Sequence, residues 1–499
     1  MSDTASPAAA AAGSERAHTA LARGRLGTWD IVFFVVSAAA PLTVVVSGAA
    51  TSFRMGGVGA PGAILFAGAV LICFALGFTA MSKSVRNAGA FYAYVSRGLG
   101  KPLGLAVSSV TVFAYIALVV CFYGFIGFFG QFTFAELLGI DLPWGFWSLL
   151  AVALVALLGY NKIDVGAKVL AVLLTLEVAI LLVLAVAVLL DGGPEPWSFA
   201  GFDPKNVFFA TGAGSLFVIG FGAYLGFEST AIYAEEAKQP ERTVPRATII
   251  AVAFLAIFYA FTFWLLTVAF GAEGVVALAR TDTFETMVIT GTEDIAGPAA
   301  AFVMKILIVT SFFACVLSFH NASTRYLFSL GREGLLPRAL ARTRARNGAP
   351  VVASGTLSVI SLIAVVIAIV VQADPFLGLA LWTYATGVQG LVFAQAVAAI
   401  AVFWYFVKDR RGHSIWRVII APAIGALGLI VGYSLIFTNF EVVTGLEGPI
   451  NQVLLLPTPI LFIGGIIVGL VLKKRKPAYY AGLTESVQVL PSEPSPPTT

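Results

Sequence analysis

About twelve separate runs of about twenty apolar residues recur along this chain, and a run of that length matches the hydrocarbon thickness of a bilayer. In hydrocarbon no water satisfies backbone N–H and C=O groups, so each run must close its hydrogen bonds within itself, as a helix. The runs lie at 29–53, 59–81, 103–131, 144–160, 165–190, 207–234, 247–270, 297–319, 351–372, 376–406, 418–437 and 453–472. Only 11% of the 499 residues are charged, against about 25% in an ordinary soluble domain. The fold class that follows is all-α and embedded in a lipid bilayer, with loops too short to hold a soluble domain.

The basic residues give orientation, because Lys and Arg concentrate on the cytoplasmic side. Arg16, Arg23 and Arg25 precede the first span; Lys83, Arg86, Arg97 and Lys101 follow the second; Lys162 and Lys168 follow the fourth; Lys238, Arg242 and Arg246 follow the sixth. The alternation continues through Arg325 to Arg346, through Lys408 to Arg417, and to Lys473, Lys474, Arg475 and Lys476 after the last span. Arg54, Lys205 and Arg280 lie on the opposite loops. Both termini are therefore expected in the cytoplasm, with the spans crossing the plasma membrane. Topology alone accounts for the net charge of +4, so no nucleic-acid partner is implied. Cys73, Cys121 and Cys315 fall in different spans, and His18, His320 and His413 are scattered, which indicates neither a disulfide framework nor a metal site. No cofactor is called for, and no nucleophile or phosphate-loop constellation points to an enzyme. Residues 1–25 and 477–499 read as disordered cytoplasmic tails, the first rich in Ala and Ser, the second ending in Pro-Ser-Glu-Pro-Ser-Pro-Pro.

Two spans are marked as broken. In the first, Pro41 within Ser37-Ala38-Ala39-Ala40-Pro41-Leu42-Thr43 removes a backbone donor and clashes with the preceding turn. In the sixth, Gly220-Phe221-Gly222-Ala223-Tyr224-Leu225-Gly226-Phe227 leads to one acid, Glu228, at a depth where a carboxylate costs about 2.5 to 3.5 kcal/mol or more. The two spans stand five apart and cross in opposite directions. Paired breaks of this kind point to inverted repeats with a solute site at the midplane. Around such breaks the half-helices aim carbonyls from one end and amides, those of Leu42, Thr43 and Val44, from the other, which suits a small zwitterion.

Tyr224-Leu225-Gly226-Phe227-Glu228-Ser229, with Ala234-Glu235-Glu236-Ala237-Lys238-Gln239-Pro240 and Thr243-Val244-Pro245-Arg246-Ala247, resembles the sixth-span signature of the amino acid-polyamine-organocation (APC) superfamily. Asn87-Ala88-Gly89-Ala90-Phe91-Tyr92-Ala93-Tyr94 and Gly331-Arg332-Glu333-Gly334-Leu335-Leu336-Pro337 add to the resemblance, which covers about 26–476. It implies a LeuT-type fold, a five-plus-five inverted repeat (about 26–190 and 200–407) with broken helices 1 and 6 and two additional C-terminal helices (about 416–472). It also implies alternating access for an amino acid or a related amine. By position, Thr43 and the amides flanking Pro41, from Leu42 to Val44, would hold a substrate carboxylate. The carbonyls of Ala40, Gly222 and Leu225 would take the ammonium, Tyr224 would border the site, and Phe319 would form an aromatic wall. Glu228 would be proton-sensitive beside the inner gate.

Relatives commonly carry Gly-Ser-Gly in the first break, whereas Leu42-Thr43-Val44 keeps the hydroxyl and loses both glycines. An amine lacking the carboxylate therefore stays open as substrate. Some relatives place a buried lysine in the fifth span instead of a sodium ion; here Glu177 stands in that span. Buried carboxylates exchange protons, so Glu228 and Glu177 are the candidates for H+ coupling, with Na+ coupling through Ser318, Ser323 and Thr324 as the rival. Glu177 and Lys305, each isolated in an apolar span, are expected to pair, for structure or for coupling. Tyr115, Tyr123, Phe221, Phe227, Trp382 and Tyr384 are further aromatics that could gate a cavity. Symport, exchange of a precursor for its decarboxylated product, and a channel or receptor-like membrane protein without alternating access are the function classes left in play.

Overall fold

The computed structural model describes residues 24–82, 85, 90–159, 163–344, 348–446 and 448–484. Arg16, Arg23, His18, Lys83, Arg86, Lys162, Arg346, the Asn87-Ala88-Gly89 motif, and the segments 1–23 and 485–499 lie outside the described residues.

Hydrogen bonds close within the helices of the apolar runs, as the lipid demands, except at breaks in the first and sixth runs, and the described residues are helical apart from these breaks, connecting segments and one isolated bridge between Leu26 and Ala237. In chain order the helices are α1 (Thr28–Ala39), α2 (Pro41–Thr43), which continues through a π-helical turn Val44–Gly48 into α3 (Ala49–Gly56), then α4 (Ala60–Met81) and α5 (Ala90–Gly98). There follow α6 (Lys101–Leu138), α7 (Trp144–Gly159), α8 (Ile163–Asp191), α9 (Ala213–Gly222), α10 (Ser229–Ile232), α11 (Pro240–Phe270), α12 (Ala272–Ala279), α13 (Met287–Ala296) and α14 (Pro298–Arg332). The chain ends with α15 (Val351–Val370), α16 (Trp382–Lys408), α17 (Ala421–Thr438), α18 (Phe440–Thr444), α19 (Pro449–Leu455), α20 (Pro457–Arg475) and α21 (Pro477–Gly482).

Nine helical stretches among the described residues are long and apolar enough to cross a membrane, and the first, Thr28–Met81, runs 54 residues. That is more than twice the roughly 20 residues one crossing needs, so it holds more than one crossing. Trp144–Gly159 and Ala213–Gly222 are apolar but shorter. The protein is a multi-pass membrane protein. Large apolar side chains such as Leu157, Leu190, Ile257, Val370 and Leu427 are exposed on the outer faces, as a lipid-facing surface requires.

Proline opens many of these helices, including α2, α6, α11, α14, α20 and α21, where its missing N–H is one that no helix would use. The long α6 lies at the centre and packs against α14, α16 and α20. Glycines let backbones close up: Gly469 of α20 faces the Pro102 backbone and Gly425 of α17 the Phe74 backbone.

The chain does not leave the fold at 477, where the sequence reads as a tail. Pro477–Gly482 is helical; Tyr479 donates its hydroxyl to the Glu333 carbonyl (2.7 Å), the Thr484 amide donates to Glu333 Oε2 (2.8 Å), and Leu483 is buried. Two tyrosines and a leucine give this short segment an apolar face to dock, which a composition dominated by the later prolines obscures.

Candidate functional site between two helix breaks

Both breaks occur. Ala40 adopts φ 45°, ψ 79°, a left-handed conformation that costs an L-residue about 1 to 2 kcal/mol. Pro41 disfavours the right-handed helical region for the residue before it, so the strain falls on Ala40. The break forfeits the helical bonds that Leu42 and Thr43 would make to Ala38 and Ala39, and buried groups left without partners cost about 1 to 3 kcal/mol each. Other helices supply the partners. Cys315 of α14 donates its thiol to the Ala38 carbonyl (2.8 Å), and Tyr259 of α11 donates its hydroxyl to the Ala39 carbonyl (2.9 Å). The Leu42 amide donates to Glu177 Oε2 of α8 (3.4 Å), which also accepts from the Ser311 hydroxyl (2.8 Å).

The second break runs from Gly222 to Glu228. Gly226 takes φ 105°, open to glycine, and an added Cβ there would lie 2.8 Å from the Ala38 Cβ of the first break. Its amide donates to Glu228 Oε2 (3.1 Å); Tyr115 donates to Glu228 Oε1 (2.9 Å) and Gln395 to Oε2 (3.4 Å). Each break thus hands one amide to a wholly buried glutamate.

Between the breaks lies a cavity of about 50 Å3, room for a few waters or a small solute. Thr43, Val44, Gly222, Leu225 and Phe319 line it, together with Ala38, Ala39, Ser47, Thr51, Cys315 and Tyr384 and an apolar wall of Leu118, Phe122, Phe125, Ile219 and Leu381. The polar atoms offered are hydroxyls, a thiol and backbone groups, and no charged side chain is among the lining residues.

Other expected residues sit differently. Ala40, Pro41 and Leu42 are buried beside the cavity rather than in its lining, and Tyr224 donates its hydroxyl to the Ile64 carbonyl (2.7 Å) against α4. Two of the amides expected to face a carboxylate are spent within the protein, Leu42 on Glu177 and Val44 on the Ala40 carbonyl (3.0 Å). The Gly222 carbonyl accepts from the Leu225 amide (3.1 Å).

The expected pair of Glu177 with Lys305 does not form. Lys305 pairs with Glu136 and reaches Glu293 at 3.7 Å, because α6 continues to Leu138 and brings Glu136 alongside the start of α14. Glu236, which follows the second break, is buried against Arg325. Ser323 donates to the Phe319 carbonyl of its own helix (2.6 Å), whereas the Ser318 and Thr324 hydroxyls have no hydrogen-bond partner among the described residues.

Sequence reasoning missed Ser311, Cys315, Tyr259 and Gln395, and the phenylalanines of α6. One signal was available: Ser311, Cys315 and Phe319 are spaced four apart, which sets them on one face of α14.

Residues 30–481 match the profile of the family described as amino acid permease. The chain belongs to that family. Among curated relatives, this permease is similar to a D-serine/D-alanine/glycine transporter of Escherichia coli (strain K12), 29% identical over 286 residues, 56% of each chain. It is also similar to a branched-chain amino acid permease of Bacillus subtilis (strain 168), 25% identical over 329 residues, 59% of this chain and 65% of the other. A lysine-specific permease of Lactococcus lactis subsp. cremoris (strain MG1363) is 25% identical over 208 residues, 41% of this chain and 39% of the other. The matched stretches span about half the length of these curated relatives.

Proposed function

We propose that this permease is a secondary active transporter that carries a small amino acid without net charge across the plasma membrane by alternating access, coupled to protons. The observation that carries the reading is the cavity between two broken helices, which offers hydroxyls and backbone groups and no charged side chain. Such a lining suits a solute whose own charges cancel, since an unpaired charge there would lack its counter-ion. Two of the relatives are named for amino acids without net charge, D-serine, D-alanine and glycine in one and the branched-chain amino acids in the other, which supports a substrate of this class, whereas the lysine-specific relative is named for a cationic one.

On this reading α1–α3, α4, α6, α7, α8, α9–α10, α11, α14, α15, α16, α17 and α20 are about twelve crossings. The first ten form the five-plus-five inverted repeat, α17 and α20 are the added pair, and both termini face the cytoplasm. Glu228 and Glu177 are the proton-carrying candidates. The substrate site is Thr43, Val44, Gly222, Leu225 and Phe319, with Cys315 and Tyr384 added from the cavity.

A thermal-shift screen of amino acids and their decarboxylated amines on the purified protein, followed by uptake into proteoliposomes, tests the reading. Small neutral amino acids should raise the melting temperature. Their uptake should saturate and follow an imposed pH gradient. Trans-acceleration without net pH-driven uptake would mark an exchanger instead, and unsaturable conductance a channel.

A further inference from the structure

Behind Thr43 the cavity wall continues as a chain of oxygens. Thr43 Oγ1 lies 3.1 Å from Ser311 Oγ, and Ser311 Oγ lies 2.8 Å from Glu177 Oε2. Thr43 lines the cavity, whereas Ser311 and Glu177 do not, and Glu177 has no exposed surface. The second oxygen of this carboxylate, Oε1, is buried without a hydrogen-bond partner among the described residues. Other titratable groups facing Glu177 are Tyr259 from α11 and Cys315 from α14, and both already donate to the carbonyls of the first break. Of the charges on the flanking helices, Glu293 of α13 and Lys305 of α14 are engaged with each other, and Lys305 also with Glu136. Among the described residues no basic side chain therefore pairs with Glu177, and its charge state is open to change.

Resting on the transporter reading above, we propose that Thr43, Ser311 and Glu177 form a hydroxyl relay through which an amino-acid carboxylate and one proton bind together. The reason is a count of hydrogens. A carboxylate placed against Thr43 creates three links: solute to Thr43, Thr43 to Ser311, and Ser311 to Glu177. Each link needs one hydrogen, and carboxylates bring none. With Glu177 ionised, only the two hydroxyl hydrogens are present, so one link is left as two facing lone pairs. A proton taken from water onto Glu177 Oε2 supplies the third hydrogen. Glu177 then donates to Ser311, Ser311 to Thr43, and Thr43 to the solute, and each bond polarises the next. An ammonium against Thr43 reverses the chain: it brings its own hydrogen, and the ionised glutamate completes the links as final acceptor. The relay therefore ties the solute group bound at Thr43 to the protonation of a residue outside the cavity.

The test is calorimetric titration of the full-length protein in lipid nanodiscs, in two buffers of different ionisation enthalpy, which counts protons taken up per ligand. Glycine, L-alanine, methylamine and ethylamine are the probes. The expected result is uptake of about one proton with each amino acid and none with either amine, and an amino-acid affinity that falls up to about tenfold per unit rise in pH. S311A breaks the chain and should bind amino acids with the proton uptake lost. S311T keeps a hydroxyl and should restore it, and E177Q, whose amide nitrogen donates permanently to Ser311 while leaving the Leu42 amide without its acceptor, should lose some stability but bind without pH dependence. Undiminished proton uptake in S311A, or its loss in S311T as well, overturns the relay while leaving the transporter reading standing. Failure of the wild-type protein to bind any amino acid overturns both.

Discussion

Arg325 holds Glu236 in a two-point ion pair, Nε to Oε2 at 2.8 Å and Nη2 to Oε1 at 3.2 Å, with both side chains buried. Arg325 also donates to the Asn321 carbonyl (3.0 Å) and sits over the Tyr233 ring, which stacks on Phe34 of α1. The Glu236 carbonyl in turn accepts the Arg25 and Leu26 amides, at 2.9 and 3.1 Å. One pair thus ties α14, the segment after the second break and the chain entering α1. Removing one partner from a buried pair leaves an uncompensated charge and costs about 3 to 5 kcal/mol. R325Q and E236Q should each lose that much in unfolding experiments in detergent. The double substitution R325M with E236L should recover most of it, and losses that simply add would show that the two residues are not coupled.

Glu228 does for Gly226 what a capping residue does at a helix start, accepting an amide that the break leaves without a partner. E228A should strand the Gly226 amide and the Tyr115 hydroxyl and cost about 1 to 3 kcal/mol. E228Q keeps an acceptor for both, and its amide nitrogen replaces the oxygen that Gln395 Nε2 faces, so a turn of the Gln395 amide is needed to bring its Oε1, which has no partner among the described residues, round as acceptor. Stability close to wild type is therefore expected for E228Q, alongside a flattened pH profile of uptake rate. A pH profile of unchanged shape would remove Glu228 from proton movement and leave it a purely structural cap.

The breaks were legible because their chemistry is written locally. Pro41 denies its own hydrogen bond and pushes Ala40 out of the right-handed region, and Gly226 stands where only glycine is comfortable. Partners were not legible. Lys305 meets Glu136 from 169 positions away and Ser311 meets Glu177 from 134, and spacing along one chain carries no information about which faces of distant helices meet. The amides of the first break were expected to face a solute because helix ends generally do. The structure spends Leu42 on Glu177, since a buried amide takes the nearest good acceptor.

Gly222 and Tyr384 divide one small space. A Cβ on Gly222 would overlap the Tyr384 hydroxyl, and both residues line the cavity. G222A should therefore push the phenol into a volume of about 50 Å3, where there is no room for ring and solute together. The variant should keep its fold, since the far end of a side chain can move, and lose substrate affinity by about tenfold or more, or about 1.4 kcal/mol. Y384A in the same background should restore binding, and thermal shift with glycine reads both. Equal binding by G222A and the wild type would mean that the solute does not occupy this cavity.

Cys315 offers a chemical probe of the same cavity. Its thiol lines the space and donates to the Ala38 carbonyl at 2.8 Å, Cys121 is buried among other side chains, and Cys73 is only partly covered on α4. In a background carrying C73S and C121S, a small methanethiosulfonate should label Cys315 whenever the cavity opens to one side, because the thiolate that reacts forms only where water reaches it. A bound amino acid should slow that labelling by filling the cavity, by about the fraction of protein it occupies. The adduct replaces the thiol hydrogen, so the Ala38 carbonyl loses its donor and the cavity loses its volume together, and uptake should stop. Labelling that proceeds at the same rate with saturating ligand would place the solute away from Cys315 and from the first break.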